Sequence, residues 1–132
     1  MRDYDPSIPD IEADEELLLQ ALLNITRNAM QALVSHPEPE IKLTTRIKRQ
    51  FTIKVKRHRV VLRIDIKDNG PGISEEIREH LFYPMISGRP DGTGLGLSLA
   101  QSIISQHQGM IDYCTVPGKT VFGIYLPLEQ AL

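Results

Sequence analysis

VVLRIDIKDNGPG, residues 60–72, joins an alternating apolar run to an abrupt stop. Val60, Leu62, Ile64 and Ile66 recur at every second position, the period of a strand with one face buried. Asp68-Asn69-Gly70-Pro71-Gly72 then ends the run with a dense turn signal. A carboxylate at a strand end can accept a hydrogen bond from an exocyclic amine such as that of adenine. Two glycines permit close backbone approach. An ordinary Asp-Gly turn has the same composition, so this stretch alone leaves both meanings open.

Working toward the N-terminus, Ile41, Leu43, Thr45 and Ile47 alternate with polar residues, and Phe51, Ile53 and Val55 continue the pattern. A basic turn is expected at Arg57-His58-Arg59. These runs predict antiparallel strands with one face buried. Before them, Leu18, Leu22, Ile25, Ala29 and Leu33 recur at three- and four-residue steps. That spacing predicts a helix from Asp14, a plausible N-cap, to about Val34. The first 13 residues carry Pro6 and Pro9 among acids and predict an extended entry segment.

The same helix carries a polar stripe, Gln20, Asn24 and Asn28, one turn apart. Asn is a mediocre helix former. Its side-chain oxygen is a neutral hard ligand that suits Mg²⁺, an ion that keeps waters and takes few protein groups beside phosphates. Taken alone, two asparagines on an exposed helix face explain the stripe as well.

Toward the C-terminus, Ser74 can cap a short helix running to about Leu81. Phe82 to Thr93, with Pro84, Gly88, Pro90 and Gly92, predicts a long loop of the functional kind. Gly92-Thr93-Gly94-Leu95-Gly96-Leu97-Ser98 opens a helix that reaches Gln108, with Gly109 as its stop. Glycines at a helix N-terminus expose N–H groups to an anion and form a phosphate cradle. The spacing is not that of the dinucleotide fingerprint. Gly118-Lys119-Thr120 imitates the end of a phosphate-binding P-loop, but Tyr113 stands where its first glycine is required. Two last strands, about 110–115 and 120–127, flank a turn at Pro117-Gly118.

The chain has 132 residues, 41% hydrophobic and 24% charged, which suits one globular domain spanning 1–132. The net charge of −2 hides an asymmetry. Residues 41–67 hold ten of the fifteen Lys and Arg and one acid, Asp65, whereas the first sixteen residues hold seven acids and one base. No apolar run is long enough for a membrane helix, and no leader is visible. With one cysteine, Cys114, a reducing cytoplasmic setting is expected.

The order of these features resembles the GHKL family of ATP-binding domains, in particular the catalytic domain of sensor histidine kinases. The asparagine helix resembles its N box, Asp68 to Gly72 the G1 box, Phe82 the F box and Gly92 to Gly96 the G2 box. Gly118, Thr120, Phe122, Leu126 and Pro127 look like the closing pattern. Arg2 to Ser7, Leu81 to Arg89 and the basic two-strand insert are similar to the nitrogen-regulation, NtrB-type branch. The resemblance implies an α+β fold: a two-layer sandwich of a mixed, mostly antiparallel sheet with helices on one face, the Bergerat fold.

It also implies ATP and Mg²⁺. Asn28 would hold the ion, with Asn24 supporting it. Asp68 would read the adenine amine, and Gly70 and Gly72 would shape that pocket with Thr120. Phe82 to Thr93 would form a lid, with Phe82, Arg89 and Thr93 at the nucleotide. Gly94, Leu95, Gly96 and Leu97 would lie along the phosphates. The chain departs from many relatives at Gln31, in place of a Lys, and at Met85, in place of an aromatic. Arg89 is a candidate for the missing charge.

ATP-hydrolysing relatives place a Glu one turn before the metal-binding Asn to activate water. Here that place is Asn24, which cannot act as a base near neutral pH, so the sequence suits transfer to histidine better than to water. None of His36, His58, His80 and His107 sits in an acceptor motif. The acceptor is therefore expected on a separate dimerisation and phosphoacceptor domain, absent from this chain. Further implied partners are a response regulator of the NtrC type and a PII signal protein. A stand-alone GHKL serine kinase of the anti-sigma-factor type is the alternative. A non-catalytic module binding a partner through the basic ribbon is another. Nucleic acid is disfavoured there, since Phe51 is the one aromatic.

Overall fold

The computed structural model describes residues 2–3, 14–79, 81–82 and 96–128. In chain order the elements are β1 (Arg2–Asp3), α1 (Glu15–Ala32), β2 (Ile41–Ile53), β3 (Lys56–Asp68), α2 (Glu75–Arg78), α3 (Gly96–Gln106), β4 (Met110–Val116) and β5 (Lys119–Pro127). The five strands form one sheet in the order β1-β2-β3-β5-β4. All neighbours are antiparallel except β1, which runs parallel to β2 through Arg2 opposite Leu43. The fold is α+β, as expected.

One face of the sheet carries both long helices. Leu62 and Ile66 of β3 and Phe122, Ile124 and Leu126 of β5 meet Ala21, Ile25 and Ala29 of α1 and Leu97, Ala100, Ile103 and Ile104 of α3. Ile25, Ile66, Ile104, Phe122 and Ile124 are all within 2% of full burial. Burying each such side chain contributes roughly 1.5–3 kcal/mol. The alanines let α1 and α3 approach the sheet and each other closely. Asp14 caps α1 as expected, its Oδ1 accepting from Leu17 N at 3.1 Å. Ser74 precedes α2 but makes no side-chain cap, and α2 stops at Arg78, short of the expected Leu81.

The opposite face bears a smaller cluster. Phe51 stacks on Tyr125 with centroids 4.9 Å apart. Arg63 lies over the same ring at 5.1 Å and pairs with Asp65 at 2.8 Å. Tyr125 donates its hydroxyl to Asp112 at 3.0 Å. Burial first, and the Asp112 carboxylate second, push the Tyr125 phenol up to about 12.

Three local features differ from the sequence expectation. The β2–β3 turn is Lys54-Val55, with Ile53 opposite Lys56, so Arg57-His58-Arg59 lies within β3. Lys54 takes the left-handed conformation (φ 57°) that the tight turn requires. Gln50 is also left-handed (φ 51°). Beyond it Phe51 and Ile53 join the Tyr125 face, whereas Ile41 and Leu43 pack toward the helices.

Gly109 is not the left-handed residue that ends α3. Gln108 takes that conformation (φ 65°), and Gly109 N then bonds Ile104 O at 2.9 Å. What excludes a side chain at Gly109 is packing, since a Cβ there would lie 2.2 Å from Tyr125 O. At Gly118 the reverse holds: φ is +89° and nothing lies within 4 Å. Gly118→Ala is therefore expected to cost only the left-handed penalty, about 1 kcal/mol. Gly109→Ala, which must displace backbone, is expected to cost about 2–4 kcal/mol. Urea unfolding of both variants measures the difference.

Candidate functional site

Asp68 ends β3 opposite Thr120 of β5, and both are 3% exposed. A buried carboxylate is costly unless donors reach it. The Asp68-Asn69-Gly70 turn supplies one, since Gly70 N donates to Asp68 Oδ1 at 2.9 Å. A carboxylate has capacity for several donors, and this bond does not exhaust it.

The turn itself is held from three sides. Asn69 Oδ1 accepts from Glu40 N at 2.9 Å, and Asn69 Nδ2 donates to Glu38 O at 2.9 Å. Gly118 N donates to Gly70 O at 2.9 Å. Ile73 N donates to Thr115 Oγ1 at 3.0 Å, and Thr115 shares a hydrogen bond with Thr120 at 2.8 Å. Asn69 and Thr115 thus position the pocket, a role sequence reasoning missed. A signal existed for Thr115, because a two-residue turn at Pro117-Gly118 sets Thr115 opposite Thr120. Gly72 needs its freedom, with φ +92° and Val116 O 3.0 Å from a Cβ.

The helix α1 joins this pocket to the start of α3. A Cβ on Gly70 would lie 3.3 Å from Ala32 O and 3.4 Å from Ala32 Cβ. At the other end, a Cβ on Gly96 would lie 3.9 Å from Asn24 Cβ. Asn24, Asn28 and Ala32 are successive one-turn steps on one helix face. The face therefore runs from the strand-end carboxylate to the N-terminus of α3 over two turns, about 12 Å. Asn24 and Asn28 are half-buried along it. Among the described residues no cluster of three His, Cys, Asp or Glu could hold a metal. The oxygen donors on this face are amides, suited to an ion whose remaining ligands are phosphates and water.

Phe82 packs its ring on Tyr113 at 6.2 Å, and Tyr113 on Phe122 at 6.0 Å. This anchors the far side of the pocket to the core. Leu97 sends its side chain into the helix-face core, 9% exposed, which leaves its backbone as the part able to meet a ligand. Arg89, Thr93, Gly94 and Leu95 lie outside the described residues. A separate groove of about 350 Å³, between α3 and β4 and reached by Lys54, contains none of the expected site residues.

Residues 13–130 match the family described as histidine kinase-, DNA gyrase B-, and HSP90-like ATPase. The sensory histidine kinase/phosphatase NtrB of Salmonella typhimurium is 52% identical over 131 residues, 98% of this chain and 37% of that protein. The NtrB of Rhodobacter capsulatus is 38% identical over 97% of the chain and 36% of its own length. The chain thus spans little more than a third of these relatives. Among solved structures, the catalytic domain of histidine kinase ThkA superposes with a TM-score of 0.77 at 29% identity, over 96% of this chain and 76% of that one.

Thr115→Val removes the acceptor for Ile73 N and the partner of buried Thr120 at nearly constant volume. It is expected to destabilise the domain by about 1–3 kcal/mol. Chemical denaturation reads this, and faster amide exchange at Ile73 localises it.

Proposed function

The chain belongs to the histidine kinase-, DNA gyrase B-, and HSP90-like ATPase family, and from that we propose that it is the nucleotide-binding catalytic domain of an NtrB-like sensor histidine kinase. It binds ATP and passes the γ-phosphate to a histidine on a separate phosphoacceptor domain. The observation that carries this is the face of α1 that links Asp68 and Gly70 to Gly96 through Ala32, Asn28 and Asn24.

In this reading Asp68 accepts from the adenine amine, with Thr120, Gly70 and Gly72 shaping the pocket. The Gly70 bond fixes the carboxylate before the base arrives, so little ordering remains to be done on binding. The triphosphate runs along α1 toward the N-terminus of α3, where the helix dipole favours anions. Gly96 and the backbone of Leu97 stand there; Thr93, Gly94 and Leu95 would extend the phosphate contacts, and Phe82 and Arg89 would serve the lid side. Asn28 would hold Mg²⁺, which supplies charge neutralisation on the phosphates when bound, and Asn24 would support it.

The transfer breaks the bond from the γ-phosphorus to the β,γ-bridging oxygen and forms a bond to an imidazole nitrogen. ADP leaves and the imidazole gives up its N–H proton. A neutral imidazole already has a lone pair, so no base is required of the kinase domain. Asn24 fits that need, because an amide neither activates water nor competes for a proton. The protein's contribution is positioning and electrostatic stabilisation. The NtrB likeness over nearly the whole chain favours histidine as acceptor over the serine-kinase alternative. We also propose, on the NtrB-type resemblance of its motifs, that an NtrC-type response regulator receives the phosphoryl group, that a PII signal protein is a regulator, and that the setting is the cytoplasm. Among the described residues no helix is long and apolar enough to cross a membrane.

Two variants test the residue roles. Asp68→Asn keeps an oxygen for Gly70 N but turns a donor toward the adenine amine. ATP affinity is expected to fall at least about 100-fold, a loss of roughly 3 kcal/mol, with the unfolding midpoint little changed. Asn28→Ala is expected to abolish phosphorylation of an added acceptor domain with Mg-ATP while the domain stays folded. The label on the acceptor should be acid-labile and base-stable; an acid-stable label would identify serine instead.

A further inference from the structure

Asp14 Oδ1 accepts from Leu17 N at 3.1 Å, which is one half of a capping box at the start of α1. The other half needs the third residue of the helix to accept from the N-cap N–H. Here that residue is Leu17, whose side chain has no acceptor. His107, 93 residues away at the end of α3, takes its place: Asp14 N donates to His107 Nε2 at 3.2 Å. The other ring nitrogen, Nδ1, lies 2.9 Å from Ile103 O. A carbonyl can only accept, so Nδ1 carries the proton and Nε2 the lone pair. His107 N turns instead to Ile104 O at 3.1 Å. A neutral imidazole in a single tautomer therefore serves an amide of α1 and a carbonyl of α3.

The groups it joins stand at opposite kinds of place in the fold. Asp14 is where the chain enters α1. The helix α3 begins at Gly96, beside Asn24, and ends at Gln106, directly before His107. The ring thus ties the entry of α1 to the far end of the helix whose start meets α1 at Asn24. Histidine is the side chain that changes charge nearest neutral pH. A second proton goes to Nε2, the atom that Asp14 N reaches. Two N–H groups then face each other and the bond is lost. Among the described residues, the charged groups on the elements that meet here are the Asp14, Glu15 and Glu16 carboxylates and the Lys54 ammonium. Lys54 donates to Ser105 Oγ at 3.3 Å, and α3 itself carries no charged residue.

We propose that His107 is a proton-operated latch on the entry to α1. The neutral ring closes the latch. The imidazolium opens it, and its Nε2–H turns to the Asp14 carboxylate in competition with Leu17 N. Protonation therefore loosens the first turn of α1, while Asp68 and Thr120, held by the sheet, keep their places. The latch rests on the two bonds of the ring and holds whether or not the nucleotide reading does.

Nuclear magnetic resonance of the ¹⁵N-labelled chain between about pH 8 and 5 tests this. At the upper end the ring should be the Nδ1–H tautomer, with a scalar coupling across the hydrogen bond from Asp14 N to His107 Nε2. As the ring takes up its proton, the coupling should vanish and the Asp14 amide should shift with the same midpoint. His107→Gln keeps an oxygen for Asp14 N but does not titrate, so its Asp14 amide should stay constant over that step. Amide exchange at Leu17 is compared between the two proteins at each pH, which cancels the intrinsic pH dependence. The ratio of wild type to variant should be near unity with the ring neutral and rise roughly three- to tenfold once it is protonated. The wild-type titration decides even without the variant. An Nε2–H tautomer with no coupling to Asp14 overturns the proposal. So does an Asp14 amide that ignores the His107 titration, or an exchange ratio that is the same in both ring states.

Discussion

Asp68 is a carboxylate held 3% exposed at the end of an apolar strand, and the surrounding chain is arranged to make that burial tolerable. An uncompensated buried charge would cost several kcal/mol. The Gly70 N–H comes to the carboxylate because the chain reverses within two residues. That reversal needs a glycine, since a side chain at Gly70 would crowd both Asp68 Oδ1 and the end of α1. Asn69 then holds the reversed segment against the chain before β2, and Gly118 and Thr115 hold it against the β4–β5 hairpin. The pocket is thus built into the fold before any ligand arrives.

The second consequence concerns α1. Its buried stripe, Ala21, Ile25 and Ala29, fixes the helix rotation on the sheet. Once that rotation is fixed, Asn24, Asn28 and Ala32 form the edge that meets Gly96 and Gly70. Core packing and ligand geometry are therefore the same constraint seen on adjacent helix faces. A substitution that rolls α1 would move both ends of the site together. The charged outer face of the sheet is separate from this arrangement, because the strands' alternation sends its residues the other way.

Much of this was legible in local sequence signals. The period-two runs, the Asp-Asn-Gly-Pro-Gly stop and the glycine-rich helix start each depend on neighbours within a few residues. Asp68 ends its strand and Gly96 opens its helix where those signals put them. Non-local geometry was not legible. The parallel pairing of Arg2–Asp3 with β2 depends on contacts far apart in sequence. The sequence points to a turn at Arg57-His58-Arg59 because Lys54 carries no left-handed signature, whereas three polar residues further on mimic a turn. Gly109 was correctly a required glycine but for a different reason: the approach of Tyr125 O, which no local pattern announces. Leu97 belongs to a glycine-rich motif, yet its side chain serves the core.

The central claim is the orientation of the nucleotide along α1, with the base at Asp68 and the phosphates at Asn24 and Gly96. Titrating the isotopically labelled domain with ATP and substoichiometric Mn²⁺ tests it directly, because the paramagnetic ion broadens resonances according to distance. The account predicts that the Asn28 and Asn24 side-chain amides and the Gly96 amide broaden first, and those of Gly70 and Gly118 last. Broadening that begins at Gly70 and Gly118 and spares Asn28 would reverse the orientation and contradict the account.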